Sequence, residues 1–285
     1  MSFSAKILNG KKVAEGLLAS LKEKTASLKN PPRLDVILAG DNDASLSYIR
    51  QKTKSAESCG IIARVHKFSA DVEEKTVVAR IKQLNHTTGV DGIIVQLPLP
   101  AGFDEQELLG AVAVSKDVDG LHPRNFGRLL AGVKPLYYPP TPSGIIRLLN
   151  HYELEISGKC VALVGMGRLV GRPLSQILLN QNATVLCLHE LTADICSYTG
   201  CADIVVAGAG VPELVDSDYI KKDAVVIDAG IHKINGKLVG DVNFADVAEK
   251  ASWITPVPGG VGPLTVAELL NNTVISAQHH ASGEF

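Results

Sequence analysis

Short runs of aliphatic and β-branched residues alternate with amphipathic helical stretches along almost the whole chain, and no other feature constrains the fold as much. Leu34-Asp35-Val36-Ile37-Leu38-Ala39 reads as a strand and 43–59 as a helix. Ile61-Ile62-Ala63-Arg64-Val65 is the next strand, 72–85 the next helix, and Gly92-Ile93-Ile94-Val95 a buried strand. Ahead of them, Val13, Leu17, Leu21 and Leu28 mark one face of a helix over 11–28. The second half restarts with a strand at 161–164, a helix over 169–180, and strands at 184–188, 203–206 and 224–228. Parallel neighbours need a crossover, and a helix supplies it, so strands separated by helices predict βαβ units. The expected fold class is α/β, as two α/β domains with a Rossmann-like parallel sheet in the C-terminal one. A last helix from 265 to about 278 is expected to pack on the first half. Between 115 and 143 the pattern breaks into Gly-, Pro- and Tyr-rich sequence, and 134–140 shows no periodicity. The tail from His279 is expected to fray.

The 285 residues suggest two domains at ~100–200 residues each. With 28 basic against 30 acidic side chains and no basic stripe, nucleic acid is not expected as a partner. The five cysteines form no C-x-x-C pair, and three sit in apolar runs, so buried reduced thiols and no metal site are expected. Met1 to Lys6 holds no apolar signal core, and no apolar run reaches ~18 residues. A cytoplasmic protein without a membrane partner is the expectation.

Val164-Gly165-Met166-Gly167-Arg168-Leu169-Val170-Gly171-Arg172-Pro173 follows a strand and opens a helix. Its G-x-G-x-x-x-G spacing is one residue longer than the usual dinucleotide fingerprint. Glycines there allow a tight turn and let phosphate oxygens reach N–H groups at the helix N-terminus; a purely structural turn is the alternative. Pro173 in the first turn is compatible, since its missing N–H has no intrahelical partner. Glu190 follows the next strand, twenty-five residues beyond Gly165, where a carboxylate can accept from a ribose and repel a 2′-phosphate. Arg168 could instead reach a 2′-phosphate. A solvated loop charge is the plain reading of Glu190. Ala207-Gly208-Ala209-Gly210 and Ile227-Asp228-Ala229-Gly230 end two further strands in the same manner.

Tyr48 and Lys52 stand at i and i+4 on one helical face, either a stacking and proton-handling pair or a surface helix with a snorkelling lysine. Gln96-Leu97-Pro98-Leu99-Pro100 follows a buried strand, so Gln96 sits at its carboxyl end, where open α/β sheets bind ligands. Lys116-Asp117-Val118-Asp119-Gly120 supplies two carboxylates, or simply an acidic turn. Pro256-Val257-Pro258-Gly259-Gly260-Val261-Gly262-Pro263-Leu264-Thr265 encodes a stiff, unusual backbone path, either against a ligand or as a tight loop before a helix.

Taken in order, Tyr48-x-x-x-Lys52, Gln96-to-Pro100, Lys116-to-Gly120, Thr141-Pro-Ser-Gly144, Gly165-to-Pro173 and Pro256-to-Thr265 closely resemble one family. It is the bifunctional methylenetetrahydrofolate dehydrogenase/methenyltetrahydrofolate cyclohydrolase family, and the resemblance runs from about Ile7 to Ala277. It implies oxidation of 5,10-methylenetetrahydrofolate with NAD(P)+, hydrolysis of the methenyl product to 10-formyltetrahydrofolate, and a homodimer. It also implies a catalytic folate-binding domain over 1–140, completed by the helix from about 265, and an NAD(P)-binding domain over 141–264. A folate cleft would lie between them. By carry-over Lys52 is the central amine, Tyr48 stacks on the folate, Gln96 holds Lys52, and Asp119 anchors the pterin. Leu97, Pro98, Pro258, Gly259 and Gly260 would line the substrate. Thr141, Gly165, Met166, Gly167, Arg168, Gly171, Glu190, Gly208, Gly210 and Ile231 would bind the cofactor, with no metal.

Four positions depart from the family pattern. Gly167 stands where Ser is common, Met166 where many members have Arg, Glu190 where NADP users more often have Arg or Ser, and Val211 where Lys or Gln often precedes the proline. All four remove polar or positive character, so NADP is the family default with a lean toward NAD or mixed use. Two rivals are a dehydrogenase of a small hydroxy acid or shikimate-like substrate, which has no use for Gln96-to-Pro100, and a non-catalytic or singly active folate binder.

Overall fold

A computed structural model of the protein describes residues 5–283, apart from the side chains at 43–45 and 47. The readings of Met1 to Ser4 and of Glu284 and Phe285 lie outside them. In chain order the first elements are β1 (Lys6–Ile7), α1 (Gly10–Ala26), β2 (Arg33–Ala39), α2 (Asp43–Ser58), β3 (Ile62–Phe68), α3 (Glu74–Asn85) and β4 (Gly92–Val95). Then come α4 (Glu105–Ala111), α5 (Pro123–Leu130), α6 (Pro140–His151), β5 (Cys160–Val164), α7 (Gly171–Asn180), β6 (Thr184–Leu188) and α8 (Ile195–Thr199). The last are β7 (Ile204–Ala207), β8 (Val225–Asp228), β9 (His232–Ile234), β10 (Lys237–Val239), α9 (Phe244–Val247), β11 (Trp253–Ile254) and α10 (Val261–Ser282). The chain forms two compact units: residues to Glu15 with Thr141–Thr265, and Gly16–Pro140 with the residues from Val266.

The first unit holds a six-stranded sheet in the order β1-β11-β8-β7-β5-β6, parallel at every pairing. Its inner strands are buried almost throughout, Ile204–Ala207 along its whole length, which is why they read as apolar runs rather than alternating ones. The chain leaves β5 for the edge at β6 and returns on the other side of β5 at β7. The carboxyl ends of β5 and β7 therefore flank a topological switch point, the place where such sheets bind ligands. The two-residue β1 is too short to show a period; it pairs with β11, Lys6 opposite Trp253. Residues up to 15 thus fall with 141–265, whereas the sequence reading grouped them with the first half.

The second unit holds the parallel sheet β3-β2-β4. Leu34, Val36 and Leu38 of β2 and Ile94 of β4 pack with Leu21 of α1 and with Val266, Leu269, Leu270 and Val274 of α10. Each such side chain contributes about 1.5–3 kcal/mol by leaving water. The last helix therefore completes the core built by the first half.

Several sequence expectations need correction. The stretch 115–143 contains α5, which is too short for its period to be read. Its start was encoded nonetheless: Pro123 is its first residue, and the His122 ring nitrogen accepts the Arg124 N–H at 3.0 Å. Pro140 opens α6 in the same way. Helix α10 begins at Val261, so Val261 to Thr265 are its first turn rather than loop. The tail from His279 is not frayed within the described residues. The helix runs to Ser282, and the His280 ring meets the Asp91 carboxylate at 3.0 Å. All five cysteines are free, but only Cys59 is buried; Cys160 and Cys196 are half-buried, and Cys187 and Cys201 are exposed. Cys187 lies on β6, a sheet edge, so an apolar run there does not imply burial. Among the described residues no helix is long and apolar enough to cross a membrane.

Candidate active site and nucleotide loops

Helix α2 and the end of β4 build one cluster. Lys52 is only 8 % exposed, which excludes the snorkelling alternative. Its Nζ donates to Gln96 Oε1 at 3.0 Å, and the Gln96 amide donates to the Leu97 carbonyl at 2.6 Å, fixing which way the side chain faces. Gln96 itself is positioned by the sheet, its backbone N–H bonding Ile37 O. The Lys52 ammonium lies 5.9 Å from the centre of the Tyr48 ring, within cation–π range. Burial pushes the Lys52 amine down, opposed by the Asp119 charge, and pushes the Asp119 carboxyl up, opposed by Lys52. Burial also raises the Tyr48 phenol. An amine whose proton affinity burial has lowered, beside an acceptor that aims it, is suited to move a proton.

The two acids of the 116–120 segment are not equivalent. Asp119 couples to Lys52, while Asp117 is buried and turned away, accepting N–H bonds from its own loop. Gly120 sits at φ +66°, and a Cβ there would lie 2.8 Å from Tyr137 O, so only glycine fits.

In the other unit three loops leave the carboxyl ends of neighbouring strands. Gly165, after β5, has φ +102°, and a Cβ on it would lie 2.6 Å from the backbone of Ala209, after β7. A Cβ on Gly171 would strike the Gly165 carbonyl and come 2.8 Å from Met166 Cα. These two glycines let the loops close on one another at the switch point, and the Arg172 N–H at the start of α7 turns back to the Gly167 carbonyl at 3.1 Å. Gly167 has open space around it and no such constraint. Behind the loops stands an acidic pair that the sequence reading left without a role. The buried Asp228 carboxylate accepts from the N–H groups of Gly230, Asp241 and Val242. Asp241 accepts from Gly210 N–H at 2.8 Å and pairs with the His232 ring at 2.7 Å. Burial raises Asp228 to about 6. A legible signal existed: an acid closing an apolar strand directly before Ala-Gly.

The Pro256-to-Gly260 segment continues from the end of β11. Its Val257–Pro258 bond is cis, Gly259 has φ +109°, and Gly259 O accepts the Lys11 N–H at 2.9 Å. The Leu97–Pro98 bond is also cis. Thr141 and Thr265, at the starts of α6 and α10, share a hydroxyl hydrogen bond of 2.9 Å.

The catalytic-domain description of tetrahydrofolate dehydrogenase/cyclohydrolase matches residues 8–119, and its NAD(P)-binding-domain description matches residues 139–281. The chain belongs to this family. The bifunctional protein FolD of a Hydrogenobaculum species is 46 % identical over 94 % of this chain and 97 % of its own. The crystal structure of bifunctional FolD from Campylobacter jejuni is 43 % identical with a TM-score of 0.95, covering 97 % of this chain and 99 % of that one. The Trypanosoma brucei dehydrogenase-cyclohydrolase, solved with NADP and an inhibitor, is 36 % identical with a TM-score of 0.94 and covers 99 % of each chain.

As a tetrahydrofolate dehydrogenase/cyclohydrolase, the chain is an enzyme of one-carbon folate interconversion with an NAD(P)-binding domain. The turn between β5 and α7 fits that cofactor: at Gly165 and Gly171 a side chain would strike neighbouring backbone, the tight glycine turn that a dinucleotide-binding strand-to-helix junction uses. Tyr48, Lys52 and Gln96 come together in space, with Asp119 coupled to them by charge. Gly165, Gly171, Gly208 and Gly210 converge at the ends of β5 and β7. Glu190 is exposed just past β6, and Val211 and Ile231 are 47 % and 41 % exposed. Among the described residues no cluster of His, Cys, Asp and Glu could hold a metal ion.

Proposed function

We propose that both activities use one folate site carried by Tyr48, Lys52, Gln96 and Asp119, with Lys52 as the base of the hydrolytic step. The enzyme oxidises 5,10-methylenetetrahydrofolate to the 5,10-methenyl cation and hydrolyses that cation to 10-formyltetrahydrofolate. When bound, the nicotinamide supplies the hydride acceptor for the first step. That step asks alignment of the chain, and orientation alone lowers a barrier by roughly 7–11 kcal/mol. Asp119 holds the pterin by accepting from its amino and ring N–H groups, and Tyr48 stacks on the ring system. In the second step water adds to the methenyl carbon and gives one proton to the Lys52 amine. The bond from that carbon to N5 then breaks, N5 keeping the electron pair and taking the second water proton, and Lys52 returns its proton to solvent. The observation that carries this reading is the buried Lys52 amine, aimed by Gln96 Oε1 at 3.0 Å and lowered by desolvation.

For the cofactor, NADP is the default, supported by the NADP complex of the Trypanosoma brucei relative. The exposed acid Glu190 beyond β6, with Met166 and Gly167 in the glycine loop, extends use to NAD. The working assembly is a homodimer, for which β3 offers a sheet edge, pairing on one side only, with β2.

One cuvette tests the reading: the methenyl chromophore is followed from 5,10-methylenetetrahydrofolate with each cofactor in turn. The expected trace rises and then decays faster than uncatalysed hydrolysis, with both cofactors supporting the rise. No rise overturns the function. A rise with only background decay leaves a dehydrogenase alone, and a strong preference for NADP refutes the role given to Glu190.

A further inference from the structure

The loop that carries Asp119 is over-determined by polar bonds, and their centre is a residue outside the folate site. Asp117 is 3 % exposed. One of its carboxylate oxygens accepts Leu121 N–H at 3.1 Å; the other accepts His122 N–H at 2.8 Å and the Asn125 amide at 2.7 Å. Those donors all follow Asp117, two at the end of the turn 117–122 and one in α5, so the carboxylate ties the start of the turn to the start of α5. Asn125 is itself fixed, its carbonyl accepting Leu136 N–H at 3.3 Å. From the other side, the Asn272 amide of α10 donates to Val118 O at 2.8 Å and to Tyr138 O at 2.9 Å. Val118 is fully buried, and Gly92 makes room for it, since a Cβ there would lie 2.8 Å from the valine methyl. The two residues before Asp119 are thus both anchored.

A hydrophobic side chain would fill the Asp117 site at lower desolvation cost if shape were all that mattered. The acid that stands there satisfies three donors, and no neutral side chain of its size accepts all three. We propose that Asp117 is a positioning residue for Asp119: its carboxylate sets the turn that presents Asp119 to the pterin and to Lys52. This rests on the folate site proposed above. Burial raises Asp117 to about 7, with Asp119 the nearest like charge and the Tyr137 phenol also facing it. Protonation at lower pH relieves the cost of burying the charge, so the fold gains in acid, but it leaves fewer acceptor sites for the same three donors and so changes the geometry of the turn.

The test is Asp117→Asn, which keeps size and volume but points an amide at N–H donors. Affinity for tetrahydrofolate is measured by calorimetry, and KM for 5,10-methylenetetrahydrofolate and for the nicotinamide cofactor by initial rates, between pH 5.5 and 8.5. Hydrogen bonds to a charged group are worth about 1.5–3 kcal/mol, so folate affinity and folate KM are expected to worsen roughly 10- to 100-fold. The nucleotide KM is expected to hold. In the parent, the folate KM is expected to rise as pH falls through about 7. That component is expected to vanish in Asp117→Asn, leaving a uniformly high KM. Circular dichroism and the active fraction by titration are followed in parallel. Parent-like folate affinity, or a lower active fraction with unchanged KM values and an unchanged pH profile, overturns the positioning role. Asn125→Asp replaces a donor to Asp117 by a second acid at 2.7 Å and is expected to raise the folate KM and move its pH dependence upward; no effect on either counts against the proposal. If the parent itself fails to bind tetrahydrofolate, the proposed function fails first, and the two failures are told apart.

Discussion

The cluster around Lys52 is made of side-chain atoms, whereas the loops after β5, β7 and β8 offer mainly backbone. In the first, a buried amine, an amide and a carboxylate are set against one another, and burial moves the amine and the acid in opposite directions. In the second, glycines remove Cβ atoms so that loops can touch, and two acids behind them hold N–H groups in place. The difference follows from the chemistry each must do. Proton transfer needs a titratable atom in a low-dielectric place. Under the proposed function the loops bind a dinucleotide, and what that asks of them is a fixed backbone path that a ligand can approach closely, which glycine allows. A side-chain site should fail through loss of one functional group, and a backbone site through gain of one methyl.

The sharpest break is Lys52→Met. It removes the amine but keeps an unbranched apolar stem, and a positioned base is worth roughly 10²- to 10⁴-fold, so ring opening should fall by that factor. Folate binding should persist; methenyl decay at the parent rate would show that the cluster is not the proton-handling site. The complementary break is Gly165→Ala. The positive φ alone costs about 1–3 kcal/mol, and the new Cβ meets the Gly208–Ala209 backbone, so nucleotide affinity should drop by more than tenfold. Gly167→Ala, with open space around it, should cost far less. Equal losses at the two positions, measured by nucleotide titration, would mean that the cradle is not set by Cβ exclusion.

The smallest effect concerns pH and separates the acids of the two units. Asp117 and Asp228 are raised to about 7 and about 6 from an ordinary 3.8, so the folded chain binds more protons than the unfolded chain between those values. Their contribution to stability is therefore greatest in acid and declines as pH rises from about 4 to 7, by at most about 1.4 kcal/mol per unit for each group. Asp228→Asn should flatten its share of that slope, over about pH 4 to 6, in denaturant unfolding. A slope identical to the parent's would mean that Asp228 is not protonated in the native state in that range.

Much of the fold was legible because its signals are local. Most strands of the two parallel sheets are short aliphatic runs, and the helices between them have a readable period, so β2 to β4 and β5 to β8 are legible in the sequence. What escaped was either too short for a period or encoded by a partner elsewhere. β1 is two residues that become a strand only beside β11. α5 is eight residues, too few for an apolar face to be read. The tail is helical because Asp91 receives its His280 ring.

The site divides along the same line. Residue order and spacing determined which groups are available: Tyr48 and Lys52 one turn apart, Gln96 at a strand end, glycines between a strand and a helix, and the motifs that mark the family. Only the tertiary structure decided what those groups are. It buried Lys52, brought Gln96 across forty-four residues to hold it, and set two acids two residues apart in different surroundings, one coupled by charge to the amine and one bonded to backbone N–H groups and the Asn125 amide. Burial and partner geometry shift a proton's affinity, and neither is a property of the local sequence. For the same reason Asp228 and Asp241 carried no visible role until their donors, supplied by Gly210, Gly230 and Val242, stood around them.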